Sequence, residues 1–329
     1  MIKRLLFVSM LLLVAVVSVA AAQTDEPLPR PTEILWDSWG VPHIFAPDNE
    51  SLFYAFGWAM ATNHADLILQ LYAESRGQAA AYFGADHLEN DRLVRTLGIP
   101  QEAEAGYASA PPEWQTYADA FAAGINAYAE ANPDDINPDA LQVLPVTGVD
   151  IVAQGARTLR WNFVAGRGIR YALGQQPEPE PTGSNAWVVG PARSASGNAM
   201  LVANPHQPWS SFGLWMEAHF ITPDVNLYGA ALMGTPVLGI AFNERLGWTH
   251  TVNTHDGWDL YDLTLTADGG AYLFDGEARP FDIREEVIRI RQEDGSFTEE
   301  ILTVRESVHG PVLAEQEPGR ALALRVVGE

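Results

Sequence analysis

The stretch most able to do chemistry is Thr182-Gly183-Ser184-Asn185-Ala186-Trp187. It joins a charged, proline-rich run to a region with the patterns of β-strands. Before it lies a charged run at 175–181, broken by prolines, which cannot form a helix or a central strand. After it, alternating and apolar runs are typical of β-strands. If the Gly183–Ser184 bond were cut, one residue would carry both a hydroxyl nucleophile and a free α-amino base. Taken alone, a turn serine between a linker and a strand is the commoner explanation of these residues.

Two further places carry residue types that do chemistry. His206 closes the run Asn204-Pro205-His206 after an apolar stretch at 199–203, which would put an imidazole at the end of a buried strand. Sites commonly form there, although a structural histidine explains the residue more simply. Asp256 and Asp259 are three residues apart, near enough for one loop to hold a hard cation through both carboxylates. Solvated acids in a turn give the same pattern.

Several common catalytic signatures are absent from the sequence. It contains no Gly-x-Ser-x-Gly elbow of an α/β-hydrolase and no His-Glu-x-x-His of a zinc protease. His250 and His255 are five residues apart on an expected strand or loop, and this spacing does not match a recognised metal site. The chain has no cysteine, which excludes disulfides, thiolate zinc sites and a cysteine nucleophile.

The secondary structure that must position these residues is expected to change along the chain, from mainly helices before residue 184 to strands after it. A strand, a turn at Gly40 and a second extended piece are expected at 32–46. Helical apolar spacing follows at 52–75, 112–131 and 149–164. From residue 184 onward the expected strands are 186–189, 199–203, 214–222, 226–232, 237–242, 247–252, 260–265, 286–291 and 300–304. Helices followed by a run of strands predict a layered α+β fold.

Length and composition set outer bounds on this fold and its partners. A chain of 329 residues with 47% apolar residues can build one large domain or two ordinary ones around a substantial core. Its 42 acidic and 19 basic side chains give a formal charge of −23. Such a surface repels polyanions, which argues against nucleic acid as a partner.

Residues 1–22 have the pattern of a secretory signal peptide. Lys3 and Arg4 precede an apolar run at 5–19, and Ala20-Ala21-Ala22 fits a cleavage site before Gln23. The apolar run is short for a membrane span, and an uncleaved membrane anchor is the alternative. We therefore expect a periplasmic or secreted protein that has no membrane contact once the signal is removed.

Taken together, these pieces resemble the penicillin/cephalosporin acylase family of N-terminal-nucleophile hydrolases, which includes acyl-homoserine-lactone acylases. The similarity runs from about Thr32 to the end, and the ordered set of motifs is specific although each motif alone is weak. The stretches 121–128 and 142–146 look most like the small chain of glutaryl cephalosporin acylases. The matching motifs are Gly40-Val41-Pro42-His43-Ile44, Arg76-Gly77, Gly183-Ser184-Asn185-Ala186-Trp187, Asn204-Pro205-His206, Tyr228-Gly229-Ala230, Gly247-Trp248-Thr249-His250-Thr251-Val252-Asn253 and His309-Gly310-Pro311-Val312.

The resemblance implies an αββα sandwich, here incomplete, and a precursor that cleaves itself between Gly183 and Ser184. By the same resemblance, 23–174 is the small chain, 175–183 an excised spacer and 184–329 the first part of the large chain. The two chains are expected to stay associated after cleavage.

The resemblance also implies roles for individual residues. Ser184 would be the nucleophile, with its own α-amino group as the base. An α-amino group ordinarily has a pKa of about 7.7–8.0, which suits that role at neutral pH. His206 would orient the nucleophile, and the backbone N–H of Val252 would be one oxyanion donor. Asp256 and Asp259 match acids that hold a structural Ca²⁺ in some members. Catalysis itself would need no cofactor.

Two departures from the family pattern bear on activity and substrate. The family usually continues for several hundred residues beyond Glu329, and the second oxyanion donor, an asparagine side chain, should lie there. This chain would then carry half of an oxyanion hole, and little activity is expected of it alone. Glutaryl-specific relatives also hold the substrate carboxylate with an arginine, a tyrosine and a glutamine, where this chain has Gly239, Trp215 and Leu232.

The residues at these three positions favour an uncharged acyl group. A buried glutarate carboxylate would lack its charged partner, whereas an apolar acyl chain would gain about 25 cal/mol for each Å² buried. The sequence therefore predicts an amide hydrolase for a small N-acyl substrate, either an acyl-homoserine lactone, which would quench quorum signals, or a penicillin-type β-lactam side chain. The alternatives are a glutaryl-type cephalosporin acylase and, from another class, a secreted non-catalytic binding protein that kept the fold.

Overall fold

The computed structural model describes residues 31–175, 183–252 and 256–327. Helices dominate up to residue 172 and strands dominate from residue 184, so the predicted α+β class is confirmed. No helix in the described ranges is long and apolar enough to cross a membrane. The predicted signal peptide lies outside these ranges, as does most of the predicted spacer.

The described ranges contain eight α-helices and fifteen strands. The helices are α1 (Asn49–Ser75), α2 (Ala79–Phe83), α3 (Leu88–Thr96), α4 (Ile99–Ser109), α5 (Pro112–Ala131), α6 (Pro138–Leu141), α7 (Gly148–Gly155) and α8 (Gly166–Ala172). The strands are β1 (Glu33–Trp36), β2 (Pro42–Phe45), β3 (Ser184–Val189), β4 (Met200–Pro205), β5 (Trp215–Ile221), β6 (Asn226–Leu232), β7 (Leu238–Phe242), β8 (Gly247–Trp248), β9 (Trp258–Thr264), β10 (Ala271–Phe274), β11 (Glu277–Pro280), β12 (Asp282–Arg291), β13 (Phe297–Ser307), β14 (Gly310–Glu317) and β15 (Arg320–Val326).

The strands form two larger sheets and two separate hairpins. One sheet has the order β1-β2-β5-β6-β7-β8, and the other has the order β12-β13-β14-β15-β9. The hairpins are β3–β4 and β10–β11. Strand β2 pairs with β5 in parallel, whereas the other described pairs are antiparallel. The N-terminal hairpin β1–β2 is therefore attached to strands that follow it by more than 170 residues.

Local signals explain the two longest helices. The Asp48 carboxylate accepts the backbone N–H of Ser51 at 2.7 Å and caps α1. Pro112 occupies the first position of α5, where its missing N–H leaves no bond unmade, and the helix ends before Pro133. Both helices follow the bounds expected from their apolar spacing.

The third predicted helix, at 149–164, needs correction. An α-helix covers only Gly148–Gly155, and the segment Ala156–Val164 is a π-helix. A π-helix makes hydrogen bonds between residues i and i+5 in place of i and i+4, and apolar residues that mark a helix do not specify which of these bonds forms. The same sequence pattern therefore could not separate the two.

The predicted strands differ from the structure mainly at their ends. Strand β6 has the expected bounds, whereas the strand expected at 247–252 ends at Trp248, after pairing with β7 through two residues. Strands β10, β11, β14 and β15 were not predicted. Strands β10 and β11 have four residues each, too few to show a periodic pattern. Strand β15 is buried at five of its seven residues, so it shows no alternation of apolar and polar faces.

The main core lies between α1, α5 and the inner face of the six-stranded sheet. The ring of Phe56 on α1 packs edge-on against Phe220 on β5 at 4.8 Å and lies 5.6 Å from Phe121 on α5. Helices α1 and α5 approach closely because each has a glycine at the crossing, Gly57 on α1 and Gly124 on α5. A Cβ on Gly57 or Gly124 would overlap a backbone carbonyl of the opposite helix. The helix pair is thus fixed by backbone proximity as well as by side-chain packing.

A second core lies under the five-stranded sheet. Trp161 of the π-helical segment and Ile169 of α8 are buried against Leu324 and Val326 of β15. This packing fixes the π-helical segment between the helical layer and the second sheet.

Arg76 connects α1 to α7 within the helical layer. Its guanidinium donates to both oxygens of Asp150 at 2.6 and 2.8 Å and to the backbone carbonyl of Val143 at 2.7 Å. Asp150 also accepts the backbone N–H of Thr147 at 2.7 Å, which caps α7. Because the Asp150 side chain is only 6% exposed, this bidentate pair holds the end of α1 to α7 in a poorly hydrated setting.

Candidate active site

The β3–β4 hairpin brings the predicted nucleophile and the predicted orienting histidine together. Strands β3 and β4 pair in antiparallel register, with Ser184 opposite Pro205 and Asn185 opposite Asn204. His206 follows Pro205 directly, so the register places it at the same end of the hairpin as Ser184. Residues that are 22 positions apart in the sequence thereby become neighbours.

Ser184 is oriented toward the bond that precedes it. Its hydroxyl donates to the carbonyl oxygen of Gly183 at 2.7 Å. A Cβ built on Gly183 would lie 3.5 Å from Nδ1 of His206, so the imidazole stands beside the Gly183–Ser184 peptide. This arrangement places a hydroxyl, a carbonyl and an imidazole within contact distance of one peptide bond.

The far side of the His206 ring faces Asn204. The Asn204 side-chain amide can donate to Nε2 at 3.4 Å, which makes Nε2 the acceptor. In the neutral ring Nδ1 then carries the hydrogen and faces Gly183. Both side chains are exposed in the described part of the chain.

The segment that leads to Val252 lies against the same hairpin. A Cβ on Gly247, the first residue of β8, would be 3.2 Å from the side chain of Leu201 on β4. After β8 the chain continues without regular structure to Val252, whose side chain is 49% exposed. The predicted oxyanion donor is therefore on the segment adjoining the hairpin. Residues 253–255 lie outside the described ranges.

The three predicted acyl-pocket positions meet on neighbouring strands. Trp215 on β5 is the direct register partner of Leu232 on β6. The Trp215 ring also covers Gly239 on β7, since a Cβ there would lie 3.2 Å from the indole. The large ring fills the space that a side chain at 239 would need. Apolar surface lines this place, and no side chain at the three positions carries a charge.

The π-helical segment brings Phe163 and Val164 close to the candidate site, which the sequence did not indicate. Phe163 lies 6.0 Å from Phe212, three residues before Trp215. Val164 is in close contact with Gly257, where an added Cβ would approach it to 2.8 Å. The segment thus lies between the loop before β5 and the loop before β9, and only the tertiary packing reveals that proximity.

The proposed calcium ligands are not gathered into a complete site by the described residues. Asp256 and Asp259 are both exposed, and Asp259 stands opposite Arg325 in the pairing of β9 with β15. In the described ranges, no group of three or more histidine or acidic side chains could hold a metal ion. Calcium binding by these two residues stays a prediction.

A wide groove of about 990 Å³ opens elsewhere, between the N-terminal parts of α1 and α5. Its lining includes Asp48, Glu50, Tyr54, Trp58 and Asp119. None of the predicted site residues contributes to it. The chemistry expected from the sequence is therefore at the hairpin and the adjoining sheet edge, away from this groove.

The sequence is similar to known proteins along most of its length. The family model described as penicillin amidase matches residues 31–329. The acyl-homoserine lactone acylase PvdQ of Pseudomonas putida is 31% identical over 92% of this chain and 43% of its own length. The acyl-homoserine lactone acylase QuiP of Pseudomonas aeruginosa is 25% identical over 89% of this chain and 41% of its own length. The penicillin acylase 2 proenzyme of Pseudomonas sp. is 26% identical over 91% and 46%.

The chain spans less than half the length of these relatives. Among solved structures, a thermostable penicillin G acylase from Alcaligenes faecalis superposes with a TM-score of 0.39 at 21% identity. That superposition covers 44% of this chain and 26% of the other.

Proposed function

The chain belongs to the penicillin amidase family, and from that premise we propose that it carries the nucleophile of a self-processing amide hydrolase. The observation that carries the proposal is the contact of the Ser184 hydroxyl with the Gly183 carbonyl, with His206 beside the same peptide. A serine that attacks its own preceding carbonyl needs its oxygen at that carbonyl before any cleavage takes place.

Self-cleavage would proceed in two steps, formation of an ester and its hydrolysis. The Ser184 oxygen adds to the Gly183 carbonyl carbon. Its hydroxyl proton passes to the peptide nitrogen as the C–N bond breaks, which leaves an ester and a free α-amine on Ser184. Water then hydrolyses the ester, which releases the Gly183 carboxylate and restores the Ser184 hydroxyl. The residue now holds a nucleophile and a base on one backbone position.

Substrate hydrolysis would use the same oxygen a second time. The Ser184 α-amine takes the hydroxyl proton while the oxygen attacks the substrate amide carbon. The amine product leaves with that proton, and water hydrolyses the acyl ester to a carboxylic acid. The backbone N–H of Val252 would stabilise the developing oxyanion, and such a donor contributes about 2.7–4 kcal/mol to the transition state. His206 would keep the Ser184 oxygen oriented.

The acyl group is proposed to be uncharged. Trp215, Leu232 and Gly239 lie together and offer apolar surface with no cation for a carboxylate. The similarity to two proteins named acyl-homoserine lactone acylases and one named a penicillin acylase supports the same class of substrate. A glutaryl amide would bury its carboxylate without a charged partner.

The proposal extends to processing and location. Residues 23–174 and the chain beginning at Ser184 would be the two associated products, and residues 175–183 would be removed. The relative named a proenzyme supports such processing. The pattern of residues 1–22 supports export to the periplasm or beyond. An αββα sandwich would be completed by the full-length protein.

The decisive experiment is mass spectrometry with N-terminal sequencing of the complete gene product. We expect a small chain that starts at Gln23 and a larger one that starts at Ser184. The Ser184→Ala variant should remain a single uncut chain without hydrolytic activity, and the Ser196→Ala variant, at an exposed serine in the β3–β4 turn, should be cut normally. Amide hydrolysis by a product that stays in one piece would refute the mechanism. A single inactive chain would instead support a binding protein that kept the fold.

Substrate class is tested by competition among amides. The processed protein should have a larger kcat/KM for a long-chain acyl-homoserine lactone or a phenylacetyl amide than for a glutaryl amide of the same amine. Introducing Gly239→Arg should lower hydrolysis of the apolar substrates, because the Trp215 ring occupies the space above residue 239. A preference for the glutaryl amide in the unmodified protein would contradict the uncharged-acyl proposal and leave the cleavage mechanism intact.

A further inference from the structure

Strand β12 lies at one edge of the five-stranded sheet, away from the candidate active site. In the described ranges only β13 pairs with it, and the register between the two strands is unbroken over ten residues. A long, regular edge strand presents N–H and C=O groups that a strand of another chain can bind. This edge is therefore a candidate contact surface.

The hairpin turn shows which backbone groups of β12 point outward. The N–H of Gln292 donates to the carbonyl of Ser296 at 2.8 Å, and these two residues continue the register of β12 with β13. Residues of an antiparallel pair alternate between hydrogen-bonded and non-hydrogen-bonded positions. The even-numbered residues of β12 therefore bond to β13, and the odd-numbered residues point their N–H and C=O groups away from it.

The odd-numbered residues also present an exposed side-chain face. Val287 is 51% exposed, and its register partner Ile301 on β13 is 66% exposed. Glu285 and Arg289 flank Val287 on the same face, and both are exposed. The Arg289 guanidinium lies over the ring of Phe297, 4.3 Å from its centroid. Among the described residues neither Glu285 nor Arg289 has an ion-pair partner, so both charges are available to another molecule.

The helical layer covers the inner face of β12 and one end of its edge. Ile288 is buried with Ala80 of α2. A Cβ on Gly84 would lie 3.7 Å from the carbonyl oxygen of Arg291, so the edge is occupied at that end. The free edge of β12 is therefore residues 283–289.

The charges along the free edge match those of the same edge in a second copy turned by 180°. With Val287 opposite Val287 of the second copy, Glu285 faces Arg289 in one direction and Arg289 faces Glu285 in the other. A shift by two residues places Val287 opposite a charged side chain. A shift by one residue brings the outward backbone groups of one copy against residues whose groups point inward. One register thus satisfies the charges and the backbone together.

We propose that the free edge of β12 pairs antiparallel with the free edge of a second copy of this chain, centred on Val287. Each odd-numbered pair then exchanges two backbone hydrogen bonds across a twofold axis. The formal charge of −23 opposes self-association in general, so the two Glu285–Arg289 pairs direct it to this edge. The dimer goes beyond the proposed function and requires neither cleavage nor hydrolysis.

The contact is small, which fixes the kind of dimer to expect. Three residue pairs bury less than the about 1,200 Å² of a stable interface, so the dimer should form and dissociate with concentration. Sedimentation velocity of the complete protein, from low to high micromolar concentration, measures its Kd. A protein that stays monomeric throughout would overturn the proposal.

Charge reversal tests the register. Arg289→Glu turns both cross-copy pairs into like-charge pairs and should raise Kd about tenfold or more. Adding Glu285→Arg restores opposite charges in both pairs and should return Kd to within about threefold of the wild type. Arg245→Glu makes the same charge change at an exposed arginine of another loop and should leave Kd unchanged. A double variant as weak as Arg289→Glu alone would overturn the pairing, and its recovery cannot come from misfolding.

Hydrogen exchange locates the contact in the wild type. The Val287 amide points outward and should become more protected as the concentration rises, by the factor that the dimer fraction sets. The Ile288 amide bonds to β13 and should be protected even in the monomer. A Val287 amide that exchanges freely in the dimer would overturn edge pairing. Protection of Val287 at every concentration would also overturn it, because another part of the same protein would then cover the edge.

Discussion

Phe56 and Phe121 in the helical layer are fully buried, whereas Trp187 and Val188 on the β3–β4 hairpin expose 57% and 73% of their surface. The helical layer packs α1 and α5 on the six-stranded sheet and carries none of the proposed catalytic groups. The hairpin carries Ser184 and ends beside His206, yet it contributes no member to the main hydrophobic core. Stability and the proposed chemistry therefore reside in different regions of the described chain. Substitutions in one region should leave the other nearly unchanged.

The largest expected effect comes from truncating the core of the helical layer. Phe56→Ala removes a ring that contacts Phe121 and Phe220 and leaves a cavity, which should lower the free energy of unfolding by about 3–5 kcal/mol. Urea unfolding measures the change. The matched control is Phe297→Ala, at a phenylalanine that is 45% exposed on β13, where a loss under about 1 kcal/mol is expected. Similar losses in the free energy of unfolding for Phe56→Ala and Phe297→Ala would show that burial in the helical layer does not decide stability.

A smaller, pH-dependent effect is expected at His64, inside α1. Burial lowers the pKa of this histidine. The unfolded chain then takes up a proton that the folded chain resists, so the contribution to stability is complete above about pH 6.5 and declines as the pH falls. His64→Gln should weaken this decline when urea midpoints at pH 7.5 and 5.5 are compared. An unchanged decline would show that His64 is protonated equally in both states.

The smallest effect is expected on the hairpin. Trp187→Ser should change the free energy of unfolding of the described chain by no more than about 0.5 kcal/mol, because more than half of the ring is already in water. The comparison with Phe56→Ala uses two large aromatic residues that differ mainly in burial. A loss above about 2 kcal/mol at Trp187 would mean that the hairpin packs against the rest of the chain more tightly than its exposure indicates, and the two regions would then share one core.

The sequence alone located much of the framework. Asp48 and Pro112 marked the starts of α1 and α5, because capping and the missing proline N–H act within one helical turn. Gly40 marked the turn of the N-terminal hairpin, where the backbone has a φ of 80° that glycine adopts readily. The motifs around Ser184 and His206 identified the candidate chemical groups. Each of these signals is local in the sequence.

Other features were decided only by the tertiary structure. The sequence pattern could not show that Trp215 covers Gly239, that Phe163 reaches Phe212, or that the segment after α7 is π-helical. The contact between His43 and His219 joins residues 176 positions apart. Such contacts follow from strand order and helix packing, and periodicity within one segment carries no information about them. The sequence thus determined which residues could act, and the packing of distant segments decided which of them meet.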